Sequence, residues 1–503
     1  MKTLLRSAAG VLLCCLACGA DRINQDGRIL GPMPAITNSI LFNTDVADAI
    51  VSAMQIFPVT NAWNEDISRL PVLVNSDAMI AQIIADLSAG RRKLQVFEEM
   101  NFVLVPDNQV PVPIQFVDYP DESDPGPYPI PWNMPVEGWP SEVTNSLQSW
   151  QQDTNNVGGD RHAIIVQPGG GYIWEMWQAK LLTNGAWQAA NGAKFNLNTN
   201  GLRPAGWTSG DAAGLPMFPA LVRYDECRRG MVEHACRIVV ARSRAAYIYP
   251  ATHYASSTPA TQTNVPAMGQ RLRLKSGFAI PSGWAPEERA LLLGLKKYGA
   301  LVADNGNFFS ISICPDDRWS PNAFGHIFGI SITNFEIVQS TGPNGGPRSA
   351  GAPVASAGPD QSVPIATPAQ LQGYVHFNGG LPAIRWTQYA GPAAVTFGDA
   401  TQTNTTASFS APGAYTLLLS ADDGIHAAAY DAVNITVGPA AIVSTIQITG
   451  TTASITWAGG SGPYVVESAA ALPGAWSGVL TTSQATASIP ITTSQGFFRV
   501  RGQ

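Results

Sequence analysis

Charge is the scarcest property of this chain: only 13% of its 503 residues are Asp, Glu, Lys or Arg. The 29 Lys and Arg set against 36 Asp and Glu leave a net charge of -7. Phosphate neutralisation needs clustered Lys and Arg, so no nucleic-acid partner is expected. The run Arg91, Arg92, Lys93 is too short to change that and reads as a solvated helix end. Histidine is nearly as rare, with 6 in the chain, and no HxH or HExxH spacing occurs among them. No cysteine pair has close ligand spacing either, so neither a metal site nor a cofactor is expected. Beyond the first twenty residues no apolar run is long enough for a transmembrane helix.

What is plentiful is Gly (48) and Pro (38), the residues that turns need, alongside β-branched and aromatic side chains. The expected fold class is mainly β, and this length implies several domains. Lys2 and Arg6, the apolar run from Ala8 to Ala17 and the small residues Cys18, Gly19 and Ala20 form the layout of a signal peptide over 1–20. A secreted or cell-surface protein is therefore expected. Lipidation at Cys18 has weak support, because Cys15 stands where a lipobox carries Leu, Val or Ile. Three cysteines remain after the leader. Cys227 and Cys236 flank RRGMVEHA, a hairpin-like bend around Gly230, and are either a cross-strand disulfide or two buried thiols.

Residues 341–352, spanning TGPNGGPRSAG, read as a linker, and a shorter break falls near Gly438 and Pro439. Three modules follow: 21–340, 353–438 and 439–503. In the middle one, Tyr415, Leu417 and Leu419 alternate with Thr416, Leu418 and Ser420, and Asp422-Asp423-Gly424 closes a hairpin. Asp422 and Asp423 suit that turn, or calcium. Trp386 lies mid-strand, where an indole fills the space between sheets. From PVASAGPDQSV to AAYDAVNITV the segment resembles a PKD-type Ig-like domain. That resemblance implies a seven-strand sandwich acting as a spacer or a weak glycan contact. The last module, from ASITW to QGFFRVRG, resembles a fibronectin-type-III-like domain, which implies an architectural or attachment role.

The large module is expected to be an antiparallel β-sandwich or barrel with a few helices. Helical spacing appears in AIVSAMQI and AMIAQIIADL, with Asn75, Ser76 and Asp77 as an N-cap, and over Pro286 to Tyr298. The prolines of 106–140 suggest a segment winding over the surface. ESDPGPYPIP, LRPAGWTSGDAAGLP, LVRYDE, YPATHYASS and KKYGALVADNG resemble a group of uncharacterised secreted bacterial proteins, which implies a single shared domain and no mechanism.

Chemistry concentrates in four polar clusters: Gly159-Asp160-Arg161-His162; Trp207-Thr208-Ser209-Gly210-Asp211; Arg223-Tyr224-Asp225-Glu226 with Glu233-His234; and His253-Tyr254 with Asp304-Asn305-Gly306. Glycoside hydrolysis needs two facing carboxyls, one protonated, and Asp211, Glu226 and Asp304 are the candidates. If RYDE is a strand, Tyr224 and Glu226 share a face, and if Cys227 pairs with Cys236 then Glu226 lies near Arg237, which can orient it. A polysaccharide lyase needs a cation and a Tyr or His base, available in Arg223, His234, His253 and Tyr254. Trp207, Arg223, Tyr224, Tyr254, Asn305, Arg161 and His162 are candidate substrate contacts. No G-x-S-x-G follows a strand, and Gly169-Gly170-Gly171 reads as a hairpin turn. The expected function is thus an enzyme acting on extracellular polysaccharide, first a glycoside hydrolase and second a lyase. The alternative is a non-catalytic binder of cell-surface glycan; in either case a monomer is expected.

Overall fold

The computed structural model describes residues 22–140, 146–380, 382–493 and 495–502. Residues 1–20, the expected signal peptide, lie outside them. The chain divides into two compact units, 1–348 and 349–503. No helix among the described residues is long and apolar enough to cross a membrane.

The principal strands of the first unit are, in chain order, β1 (Ile40–Leu41), β2 (Gln95–Glu98), β3 (Val103–Leu104), β4 (Ala163–Gln167), β5 (Tyr172–Trp177), β6 (Asn191–Asn196), β7 (Cys236–Val240), β8 (Arg271–Leu274), β9 (Ala300–Asn305), β10 (Ser310–Ile313) and β11 (Phe335–Ile337). They build a five-stranded sheet of order β6-β5-β4-β3-β1 and a six-stranded sheet of order β11-β8-β9-β7-β10-β2. The class is mainly β, as the turn-rich composition implies. The sheets themselves are mixed rather than antiparallel throughout: β3 runs parallel to β4, β7 to β9 and β10 to β2. Glycines 169–171 do close the β4–β5 hairpin, with Gly171 at φ +68.

Both sheets contribute to one core, where Ile164, Val166 and Ile173 meet Ile238, Leu301 and Ile311. The five-stranded sheet is buried on its other face as well. There Ala163, Ile165, Trp174 and Met176 pack on Tyr128, Ile130, Met134 and Val136. The proline-rich stretch therefore does not simply cover the surface, since its last third is a core layer. Fixed proline φ angles let irregular chain present apolar side chains with little further entropy loss.

The helices are α1 (Asp45–Ala53), α2 (Ser76–Ala85), α3 (Leu147–Gln151), α4 (Tyr224–Arg229) and α5 (Pro286–Lys297). Helix α2 begins beside Asn75, but that side chain does not cap it; the Asn75 amide instead donates to the Thr263 carbonyl at 3.0 Å. Helix α4 is the main departure from expectation, because RYDE is helical. Asp225 and Glu226 fill its first turn, Arg228 and Arg229 its last, and Gly230 ends it at φ +96. Such charges complement the helix dipole, and a left-handed terminator favours glycine. A Cβ on Gly230 would meet nothing within 4 Å, so its cost is one of backbone conformation alone. Gly230→Ala is expected to lower the stability of the first unit by about 1 kcal/mol, read as a shift in its urea midpoint.

Placing Cys227 in a helix and Cys236 at the start of β7 also removes the hairpin that would pair them. Cys227, Cys236 and Cys314 are all buried free thiols. Of the 247–253 segment, only Tyr247 takes part in β pairing, through an isolated bridge to Met268.

In the second unit, Gln361–Pro364, Ala429–Gly438, Gly413–Asp422 and Ala383–Ala390 form a four-stranded sheet. Ala369–Gln372, Asn404–Phe409 and Val395–Phe397 form a three-stranded one. Trp386, 1% exposed, packs with side chains of both sheets, and its indole N–H donates to the Gln402 and Thr403 carbonyls. After residue 440, two three-stranded sheets share a smaller core of Ile455, Trp457, Val466 and Ala487.

Candidate functional site

Arg237 sits at the centre of a group of buried charges. In β7 the side chains of Ile238 and Val240 enter the core, so Arg237 and Val239 point the other way. Val239 faces Ser310 across the antiparallel β7–β10 pair; two residues back along that register, Arg237 faces Ser312. The guanidinium donates to Ser312 Oγ at 2.9 Å, and Ser312 donates in turn to Glu99 Oε1 at 3.3 Å. Glu99 follows directly on β2, which lies parallel to β10.

On the other flank, Val239 pairs with Asp304 through a register shift, where Ile238 had paired with Val302. Ala303 is the extra residue. Without this bulge Ala303 would take the position beside Val239 and Asp304 would turn to the opposite face. The bulge thus brings Asp304 onto the face of Arg237, with Oδ2 at 3.6 Å from the guanidinium. From above, the 198–217 loop delivers Asp211, whose two oxygens take Nε and Nη2 of Arg237 at 2.9 Å each.

The five-stranded sheet supplies the remainder. His162, just before β4, places Nδ1 2.8 Å from Glu137 Oε2 and Nε2 2.9 Å from the Gly210 carbonyl. Both partners only accept, so both ring nitrogens carry protons and His162 is an imidazolium. Burial works against that charge, but Glu137 outweighs it and pushes the pKa up to about 9. Burial likewise pushes Glu137 up, and His162 more than offsets it, leaving that carboxyl below its ordinary range. Glu175 on β5 is fully buried and accepts the backbone N–H groups of Met217 and Phe218. It thereby anchors the end of the loop that carries Asp211.

The charges of this group do not balance. Arg237 and His162 are matched by Asp211 and Glu137, leaving Glu99, Glu175 and Asp304 without a cation of their own. Burial, then the negative charge of Glu137, raises Glu99 to about 7. Burial and Asp211 raise Asp304 to about 6, and burial raises Glu175 to about 7. Glu175 is sealed in. Glu99 is half-buried and reaches the Arg237 guanidinium through Ser312, whereas Asp304, its side chain 28% exposed, lies directly against it. At neutral pH Glu99 keeps a substantial share of its proton while Asp304 is mostly ionised, a division of roles suited to acid–base chemistry.

Beside Asp304 lies an aromatic ladder. His253 Nδ1 is 2.7 Å from the Ala212 carbonyl, and its ring stacks on Tyr254, which stacks on Tyr247. Tyr254 is 43% exposed. The Asn305 amide donates to the Ala255 carbonyl at 2.8 Å and holds this segment against the end of β9.

Six of the residues singled out from sequence therefore converge: Asp211, Asp304, Asn305, His162, His253 and Tyr254. Four others form a separate cluster around α4. There Glu226 takes Arg223 and His234, the latter at 3.0 Å, and does not meet Arg237. Burial would raise Glu226, but Arg223 and His234 hold it down to about 2. His234 is committed to the Ala235 carbonyl on its other nitrogen, and Tyr224 lies under Arg318 at 4.2 Å. Arg161 is structural, bonding the Trp150, Gln151 and Ala179 carbonyls. Trp207 packs under Arg203, whose own bonds reach Asp124 and the Thr208 carbonyl. Among the described residues no group of three or more His, Cys, Asp or Glu side chains is arranged to hold a metal.

Comparison with known proteins bears on the second unit. Residues 357–437 match a family model described as a PKD domain. These residues are a PKD-type domain. The solution structure of the PKD domain from the KIAA 1837 protein is similar at 24% identity, covering 20% of this chain and 91% of that one, with a TM-score of 0.16. Domains A168-A170 of titin are similar at 14% identity and a TM-score of 0.15. That match covers 28% of this chain and 55% of the titin fragment, so the chain spans about half of it. No curated protein matches the chain. Within the PKD-type domain, Asp422 accepts the Gly424 N–H and Asp423 those of Ile425 and His426. Both acids thus serve the turn.

Proposed function

We propose that the first unit is a glycoside hydrolase of an exported protein, acting on extracellular polysaccharide with Glu99 as proton donor and Asp304 as its carboxylate partner. One observation carries this reading: two partly exposed carboxyls share one buried guanidinium, Asp304 directly and Glu99 through Ser312, and their pKa values are pushed to about 6 and about 7 respectively. Paired carboxyls of unequal acidity are what glycosidic cleavage requires. The ladder of Tyr247, Tyr254 and His253 offers a stacking surface for a sugar ring alongside. The lyase reading has less support, because both cations at the site are already matched by Asp211 and Glu137 and neither is spare for a uronate.

The test is reducing-end release by the intact chain across a panel of neutral and acidic polysaccharides, with Glu99→Gln and Asp304→Asn beside it. Each substitution is expected to lower release by about 10²-fold or more, since positioned acid–base groups contribute on that scale. The rate of the unsubstituted chain should peak between about pH 6 and 7, where Asp304 is ionised and Glu99 protonated. Polymer binding without release from any member of the panel would instead make the unit a glycan-binding module.

A further inference from the structure

The hairpin turn of the PKD-type domain brings together a second set of reactive groups, far simpler than the first. Asp423 Oδ1 takes the backbone N–H groups of Ile425 and His426 at 3.0 and 2.8 Å. Oδ2 is thereby directed at His426 Nδ1, at 2.6 Å. The other ring nitrogen, Nε2, lies 2.8 Å from Ser349 Oγ. Because a carboxylate only accepts, Nδ1 carries a proton, and in the neutral imidazole Nε2 then presents its lone pair to the serine, whose hydroxyl donates. Asp423 stays ionised: burial raises it, but bonds from His426 and Ile425 hold it below the ordinary carboxylate range. Exposure follows the same order, with the Asp423 side chain at 3%, His426 at 8% and Ser349 half-buried.

Two features beyond the three side chains suit acyl transfer. The backbone N–H groups of Ala350 and Gly351, immediately after the serine, have no hydrogen-bond partner among the described residues. Gly351 adopts φ +105, and a Cβ placed on it would meet nothing within 4 Å. Unpaired N–H groups next to a nucleophile are what a developing oxyanion needs.

We propose that Ser349, His426 and Asp423 form a nucleophilic centre that cleaves small acyl esters, with the Ala350 and Gly351 N–H groups as oxyanion donors. Ser349 Oγ attacks the ester carbonyl carbon while its proton passes to His426 Nε2, and Asp423 stabilises the imidazolium. The tetrahedral intermediate collapses, the bond from carbonyl carbon to alcohol oxygen breaks, and the departing alcohol takes the proton from Nε2. Water then repeats the sequence on the acyl-serine and releases the carboxylic acid, restoring the serine. Ala350, Gly351 and Ala352 are exposed, so no wall encloses the acyl group, and a short one such as acetyl fits best.

The experiment treats the intact chain with a fluorophosphonate probe and, separately, with p-nitrophenyl acetate. Ser349 is expected to be the labelled residue by peptide mass, with acetate release that His426→Gln lowers about 10³-fold. Ser349→Ala, at a half-buried position, should abolish labelling without altering the thermal unfolding of the domain. An unlabelled wild-type chain would overturn the proposal. So would label that persists in Ser349→Ala, or an acetate rate unchanged by His426→Gln; each would leave the three residues as a clasp that ties the start of the domain to its turn.

Discussion

Replacing Arg237 with methionine is expected to destabilise the first unit by about 3–5 kcal/mol, the cost of stranding a buried charge. The Arg237 side chain is 4% exposed and that of Asp211 is not exposed at all. Methionine fills similar volume but leaves Asp211 with only the Ala212 N–H for its carboxylate, and it removes the one cation between Asp211 and Asp304. Arg237→Lys should recover only part of the loss. One ammonium cannot reach both Asp211 oxygens, Ser312 and Asp304 as a planar fork does. Combining Arg237→Met with Asp211→Asn should restore a good share of the stability, because the stranded charge is then gone. Hydrogen exchange of the β7, β9 and β10 amides in the intact chain reports this directly. Equal protection in wild type and Arg237→Met would show that the cluster contributes no net stability.

The same residues show what sequence reasoning could and could not reach. Asp211, Asp304 and His162 stood out because charge is rare and each lies at a Gly-rich turn or strand end, where side chains can converge. Glu99, Glu137 and Glu175 carried no such mark. Glu99 directly follows a strand, Glu137 lies within the proline-crowded segment, and Glu175 sits in the middle of YIWEMW, so their shared site is a product of tertiary packing. The bulge at Ala303 was equally silent, since one extra residue in VADNG leaves the alternation pattern ambiguous. Helix α4 was legible in principle. Acids in the first turn, arginines in the last and glycine directly after are helix-end signals, and here they outrank the polar–apolar alternation that suggested a strand. The middle domain was the easiest to read, because Trp386, the alternating 415–420 run and the Asp-Asp-Gly turn are all local features.

Stability of the first unit is expected to fall as pH rises from about 4.5 to about 7, and Glu175 should cause much of that fall. Its folded pKa, about 7, lies above its ordinary 4.5. The folded state therefore holds the proton more tightly than the unfolded chain. Its contribution is complete below pH 4.5 and is lost as pH climbs through 7, by about 3 kcal/mol at 1.36 kcal/mol per unit. Glu99 and Asp304 add the same sign over the same range, more weakly where solvent reaches them. His162 extends the decline: raised to about 9, it contributes fully below pH 6.5 and loses its contribution through 9. Glu137 has the opposite sense, but its lowered pKa confines the effect to pH below 4.5. Glu175→Gln separates these contributions. A glutamine carbonyl can accept the Met217 and Phe218 N–H groups at every pH, so the variant should match wild type at pH 5 and exceed it at pH 8 by about 3 kcal/mol. Urea midpoints at pH 5, 7 and 8 on the intact chain, with exchange of the 209–217 amides assigning the transition, measure it. A wild type that gains stability from pH 5 to 8, or a variant with the same fall, would mean that Glu175 is ionised in the folded state and that the loop carrying Asp211 is held by charge.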